Sequence, residues 1–150
     1  MKTFNALGVR DDLIQGLGEL GIQTPTPIQR EAIPWLLTNG SDFIAQAQTG
    51  TGKTAAFGLP LLMQLDPKYR GIQALVVAPT RELAAQIGET LRGLARHLER
   101  TPRIAVVFGG VSINPQMLRL RGGADIVVAT PGRLLDLVEH NALRLSHVGT

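Results

Sequence analysis

The run Ala47-Gln48-Thr49-Gly50-Thr51-Gly52-Lys53-Thr54 holds the residue types best suited to chemistry. Glycines on either side of Thr51 let the backbone curl until several amides point at one centre, and a helix starting just after them adds its positive end. A loop of this kind cradles phosphate oxygens. Within it Lys53 reaches the outer phosphates of a nucleotide, and the Thr54 hydroxyl ligates Mg2+ through that nucleotide. The general pattern asks for glycine where this chain has Ala47, and Gly50 supplies the flexibility instead. As local structure alone, the same run is a strand-to-helix turn with Lys53 in water.

Three other runs place donors beside expected helix starts: Pro79-Thr80-Arg81-Glu82, Gly109-Gly110 and Thr130-Pro131-Gly132-Arg133. Hydroxyls, guanidinium groups, close glycine backbone and helix N-termini suit contact with an anionic group. Each has a plainer reading: Thr80, Thr130 and Pro131 as helix caps, Arg81 as a surface ion pair.

Alternating strands and helices must position these groups. Asp11 and Asp12 open a helix with Leu13, Ile14, Leu17 and Leu20 at helical spacing, and Gly21 stops it. A second helix starts at Pro27, with Ile28, Ile33, Leu36 and Leu37 inward and a bend at Pro34. Phe43 to Ala47 reads as a buried strand feeding the glycine-rich loop, and a helix follows to about Leu65. Strand and helix then alternate three more times: 72–78 with 80–98, 103–108 with a short helix near Met117, and 126–129 with 131–139. Joints at Asp66-Pro67, Thr101-Pro102 and Arg121-Gly122-Gly123 separate them. Such alternation implies right-handed crossovers and an α/β fold, a parallel sheet with helices on both faces.

At 150 residues the chain has room for one domain, and 44% hydrophobic with 18% charged residues is globular composition. Its longest apolar stretches are strand-length, so no membrane is expected, and without an apolar leader the default address is cytoplasmic. Cysteine is absent, which excludes thiolate metal sites, and His97, His140 and His147 lack ligand spacing. A net charge of +3, with twelve arginines to three lysines, permits a polyanionic partner.

The segment Gly21-Ile22-Gln23-Thr24-Pro25-Thr26-Pro27-Ile28-Gln29 resembles the glutamine motif of DEAD-box ATP-dependent RNA helicases, and Phe4 lies where that family places an aromatic. Pro79 to Ala84 resembles the family's motif Ia, Gly109-Gly110 its paired-glycine motif, and Thr130 to Arg133 its motif Ib. The resemblance runs along the whole chain. It implies a RecA-like P-loop sheet, the N-terminal portion of the first helicase domain, with 1–40 recognising adenine and 41–150 carrying the phosphate loop and RNA motifs. It implies ATP or ADP with Mg2+ held by Phe4, Thr24, Gln29 and Gln48 to Thr54. In that scheme Gln29 reads adenine through its amide and Phe4 stacks on the base. It implies single-stranded RNA held by its backbone at Pro79, Thr80, Arg81, Glu82, Gly109, Gly110, Thr130, Pro131, Gly132 and Arg133, with little sequence specificity and strong salt dependence. Gln29 closing a capping box with Thr26, and Phe4 as a core residue, remain open as plainer readings.

In the family the acidic motif that completes hydrolysis follows a strand that would begin here near Val148, and a second domain supplies arginines to the γ-phosphate. The resemblance therefore implies an incomplete sheet with unpaired edges and a poorly cooperative melt. It assigns RNA-stimulated ATP hydrolysis and local duplex unwinding to a longer protein, these 150 residues binding nucleotide without turnover. Two alternatives stay open: a non-catalytic nucleotide- or RNA-binding module, and a P-loop DNA translocase, which the adenine-reading segment and Pro79 to Ala84 disfavour.

Overall fold

A computed structural model describes residues 2–150. Its elements run α1 (Asp11–Glu19), α2 (Pro27–Thr38), α3 (Lys53–Met63), β1 (Ala74–Val77), α4 (Arg81–Leu94), β2 (Ile104–Val107), α5 (Ile113–Arg121), β3 (Ile126–Ala129) and α6 (Pro131–Glu139), with a single 3₁₀ turn at Asn5–Leu7. No helix among the described residues is long and apolar enough to cross a membrane. The chain divides into two compact units, Met1–Gln64 with Thr90–Thr101, and Leu65–Glu89 with Pro102–Thr150.

The first unit is helical. Its core gathers Leu7, Val9, Leu13 and Leu17 from the N-terminal segment, Ile33 from α2, Leu59 from α3, and Leu91 and Leu94 from the end of α4, all buried. The spacing of Leu13 and Leu17 gives α1 its inward stripe, while Leu20, expected to share it, lies beyond the last turn and is exposed. Gly16 lets α1 approach closely, because a Cβ there would sit 2.5 Å from the Leu94 carbonyl oxygen. Helix α2 continues through Pro34.

The expected strand at 43–47 does not form. These residues carry no ladder, and Ile44 is 98% exposed. The reason is partnership: a strand satisfies its backbone only against a neighbour, and every described strand belongs to the other unit. Phe43 instead rests against Trp35, ring centroids 6.1 Å apart.

The second unit holds a parallel sheet in the order β1-β3-β2. Ile126 sits opposite both Ala74 and Ile104, and Ala129 opposite both Val77 and Val107, so the three strands end level. All four residues of β3 are buried, as an apolar Ile-Val-Val-Ala strand at the centre of a parallel sheet should be. Leu120, Leu137 and Leu143 pack with Val107 and Val127 in one cluster. On the outer edge of β1, Gly149 N donates to Gln73 O at 3.0 Å and Leu75 N to Thr150 O at 2.9 Å. Backbone pairing thus starts where a further strand was expected, near Val148.

Candidate functional site

In the first unit the glycine-rich loop leads directly into α3, with Gly52 at its N-cap. Gly50 and Gly52 adopt φ of +79° and +81°, the left-handed region that costs any other residue about 1 to 2 kcal/mol. This turns the loop over the helix start, where unpaired amides and the positive end of the helix dipole meet. Thr51 Oγ1 donates to Gln48 O at 2.5 Å and Lys53 Nζ to Ala47 O at 2.7 Å, so the loop is closed on itself. One bond leaves the Lys53 ammonium two further hydrogens. Gln48, Thr49, Gly50 and Lys53 are exposed, whereas Thr51, Gly52 and Thr54 are half-buried.

Gln29 is brought to this loop from α2. Its side chain is 1% exposed, with Oε1 accepting from Thr26 N at 3.0 Å and Nε2 donating to Gly52 O at 3.1 Å. The capping box is therefore present and extends to the phosphate loop. Thr26 Oγ1 faces the helix amide without closing a full hydrogen bond of its own, leaving a buried oxygen without a partner. Thr24 is exposed nearby in sequence. Phe4 is 3% exposed and belongs to the buried core, the plainer of its two readings.

In the second unit the three other runs meet at one place. Pro79–Glu82 follows β1, Gly109-Gly110 follows β2 and Thr130–Arg133 follows β3, all at the carboxyl ends of strands that finish level. The N-termini of α4, α5 and α6 share that edge, which is where open parallel sheets bind ligands. Thr80 Oγ1 caps α4 by accepting from Leu83 N at 3.2 Å, and its O–H remains a donor. Thr130 precedes Pro131, the first residue of α6, and its hydroxyl makes no cap bond. Pro79, Gly110, Pro131 and Gly132 are exposed and Gly109 half-buried.

The two arginines divide. Arg81 lies exposed 5.9 Å over the Phe108 ring, with a weak surface pair to Glu82 at 3.3 Å. Arg133, expected to face phosphate, is 9% exposed and spent inside the protein. Its Nη1 donates to Gln116 Oε1 at 2.9 Å and its Nη2 to Val111 O at 2.8 Å. Gln116 Nε2 in turn donates to Phe108 O at 3.1 Å. Arg133 and Gln116 thus tie down both ends of the turn containing Gly109 and Gly110. No sequence signal marked Gln116, one of two amide side chains on a short helix.

Comparison with known proteins bears on both constellations. The profile of the DEAD/DEAH box helicase family matches residues 26–150. The chain is 49% identical over 150 residues to the DEAD-box ATP-dependent RNA helicase CshA of Bacillus cereus, covering 100% of this chain and 28% of that protein. It superposes on a DEAD box protein from the hyperthermophile Methanococcus jannaschii with a TM-score of 0.89 and 38% identity, over 97% of this chain and 39% of that one. Dbp5 of S. cerevisiae bound to RNA and ADP BeF3 gives a TM-score of 0.85 at 33% identity, over 99% and 37% respectively. The chain thus spans under a third of the length of that curated relative.

Proposed function

Because the chain belongs to the DEAD/DEAH box helicase family and has its RecA-like α/β architecture, we propose that it binds ATP or ADP at the Gln48–Thr54 loop and RNA backbone at the carboxyl edge of the β1-β3-β2 sheet. The activity assigned to the longer protein is RNA-stimulated ATP hydrolysis coupled to local duplex unwinding, in the cytoplasm, with a second helicase domain completing the active site. The observation that carries the nucleotide half is the pair of left-handed glycines at the start of α3, with Lys53 as the first helical residue. That arrangement turns backbone amides, a helix dipole and an ammonium toward one centre, which is the requirement for a polyphosphate.

Mg2+ fits this loop through Thr54, whose half-buried hydroxyl stands beside Lys53 at the helix start. When bound it neutralises phosphate charge. Its remaining ligands would include oxygens of the phosphates themselves. The RNA half rests on the O–H groups of Thr80 and Thr130, on Arg81 and on the backbone of Gly109, Gly110 and Gly132. Arg133 supports that surface from behind.

Titration with fluorescent ADP and Mg2+, competed by unlabelled ADP and GDP, tests the nucleotide half. Lys53→Ala should weaken ADP binding by roughly tenfold to a hundredfold, the value of a charge-assisted contact of about 1.5 to 3 kcal/mol. Unchanged ADP affinity in that variant would remove the phosphate loop from the proposal. Steady hydrolysis by the 150-residue chain would remove the expectation that it binds without turnover.

A further inference from the structure

At the opposite, amino-terminal edge of the same sheet lies a cleft of about 280 Å³. Its walls are the segment entering β1 at Gly71 and Ile72, the segment entering β3 at Gly123 and Ala124, and residues 144–147 after α6. Strands of four residues at about 3.3 Å each separate this edge from the motif-bearing one by about 13 Å.

The walls are braced from behind. Arg103 Nη2 donates to Arg70 O at 3.0 Å, and Arg103 pairs with the buried carboxylate of Asp125 through Nε at 3.2 Å and through its own backbone N at 2.7 Å. Gly123, at φ +100°, lies where any side chain would collide with the Arg103 guanidinium. The cleft is thereby preformed, and the nearest buried acid is already paired.

The lining is amphipathic. Ile72 and Leu120 give an apolar floor. Tyr69 and His147 form an aromatic wall with ring centroids 5.7 Å apart. Arg70 and Arg144 stand at the mouth, exposed, with no hydrogen bond or ion pair to either guanidinium among the described residues. No carboxylate lines the cleft. Two guanidinium groups without a protein partner, beside an apolar floor and two aromatic rings tilted 59° to each other, select an anion that carries a planar ring.

We propose that this cleft is a separate binding site for a nucleoside monophosphate, its base against Tyr69 and His147 and its phosphate on Arg70 and Arg144. The shared chemistry is a phosphorylated nucleotide, either free or at the 5′ end of an RNA strand. The site stands independently of the phosphate loop and of the carboxyl-edge RNA surface.

The test follows the backbone amides of Gly71, Gly123, Ser146 and His147 by NMR in the 150-residue chain. The probes are uridine monophosphate, uridine, inorganic phosphate, and a short single-stranded RNA with and without a 5′-phosphate. The monophosphate should shift these amides saturably and at least about tenfold more tightly than uridine, the scale of a charge-assisted contact. Arg70→Gln with Arg144→Gln should abolish the response without lowering the melting temperature, since neither side chain bonds within the fold. Tyr69→Leu should weaken it separately. Competition by 5′-phosphorylated RNA but not by its 5′-hydroxyl form assigns the terminal nucleotide as the ligand, and its failure to compete assigns the free mononucleotide. Equal response to uridine, equal response to inorganic phosphate, or no saturable response would each overturn the proposal.

Discussion

Replacing Arg133 by glutamine separates a residue that holds RNA from one that holds the loop RNA would touch. The two bonds from its guanidinium, 2.9 Å to Gln116 and 2.8 Å to Val111, are charge-assisted, at about 1.5 to 3 kcal/mol each. Desolvation of a group only 9% exposed opposes them, and the orphaned Nε, 3.8 Å from Asp136, recovers little. A glutamine amide re-forms one bond of the two. The net loss is then about 1 to 3 kcal/mol, or roughly 3 to 10 °C in melting temperature for a domain of this size. RNA affinity should fall as the Gly109-Gly110 turn loosens, by a similar factor at every salt concentration. A phosphate ligand behaves differently: its loss lowers the slope of log K against log salt by about 0.7 for a single strand. Fluorescence anisotropy with labelled single-stranded RNA across a salt series, beside calorimetric melting, reads both quantities. Arg81→Gln serves as the contrast, with a shallower slope and a melting temperature within about 2 °C of the parent, since exposed substitutions stay within about 0.5 kcal/mol. A parental melting temperature together with a shallower slope for Arg133→Gln would refute the assignment.

Other consequences follow from the same structure. Gly16→Ala places a methyl 2.5 Å from the Leu94 carbonyl oxygen, so α1 or the end of α4 must shift; a loss of about 1 to 3 kcal/mol in urea unfolding is expected, and a neutral result would mean the contact yields freely. The hydrogen bond from His97, helped by the charges of His97 and Arg96, holds the Glu19 carboxyl below its ordinary value of 4.5. A lowered folded value means the contact stabilises above that pH and is lost as pH falls through the folded value. Melting temperature against pH should therefore lose part of its acid limb in Glu19→Gln, and identical limbs would count against the contact. Ile44→Thr removes a side chain already 98% exposed; its melting temperature should match the parent, while light scattering should show less self-association if this segment joins chains edge to edge.

Much of the architecture was legible because its signals are local. The strand 126–129 and helix 131–139 fall where an apolar run followed by Thr-Pro-Gly places them, and Pro27 marks the start of α2. Misses arose where the outcome depends on partners distant in sequence. Residues 43–47 have the composition of a buried strand, yet composition does not supply the neighbour that a ladder needs. The helix expected over 80–98 ends at Leu94, and Ala95 to His97 continue in turns; apolar spacing alone does not separate a last helical turn from the turns that follow it. For the sites, residue type and spacing located the loop and the sheet edge, but could not say which polar side chains stay available. Phe4 and Arg133 match their motifs in type and are buried in fact.

Gln29 shows why availability is the deciding quantity. A capping role and an adenine-reading role look exclusive in sequence, yet an amide oxygen has two lone pairs and an amide nitrogen two hydrogens. Thr26 N takes one lone pair and Gly52 O one hydrogen, which leaves one acceptor and one donor, the pair that adenine matches. The two roles therefore compete for access and not for atoms, since the side chain is 1% exposed. An adenine that reached it would meet an amide already oriented by two backbone bonds, so little ordering cost would fall on binding. The same bond to Gly52 O ties that amide to the phosphate loop, so a base held by Gln29 and phosphates held at Lys53 would be registered against each other through one carbonyl, which also accepts from Ala56 N at 3.1 Å in the first turn of α3.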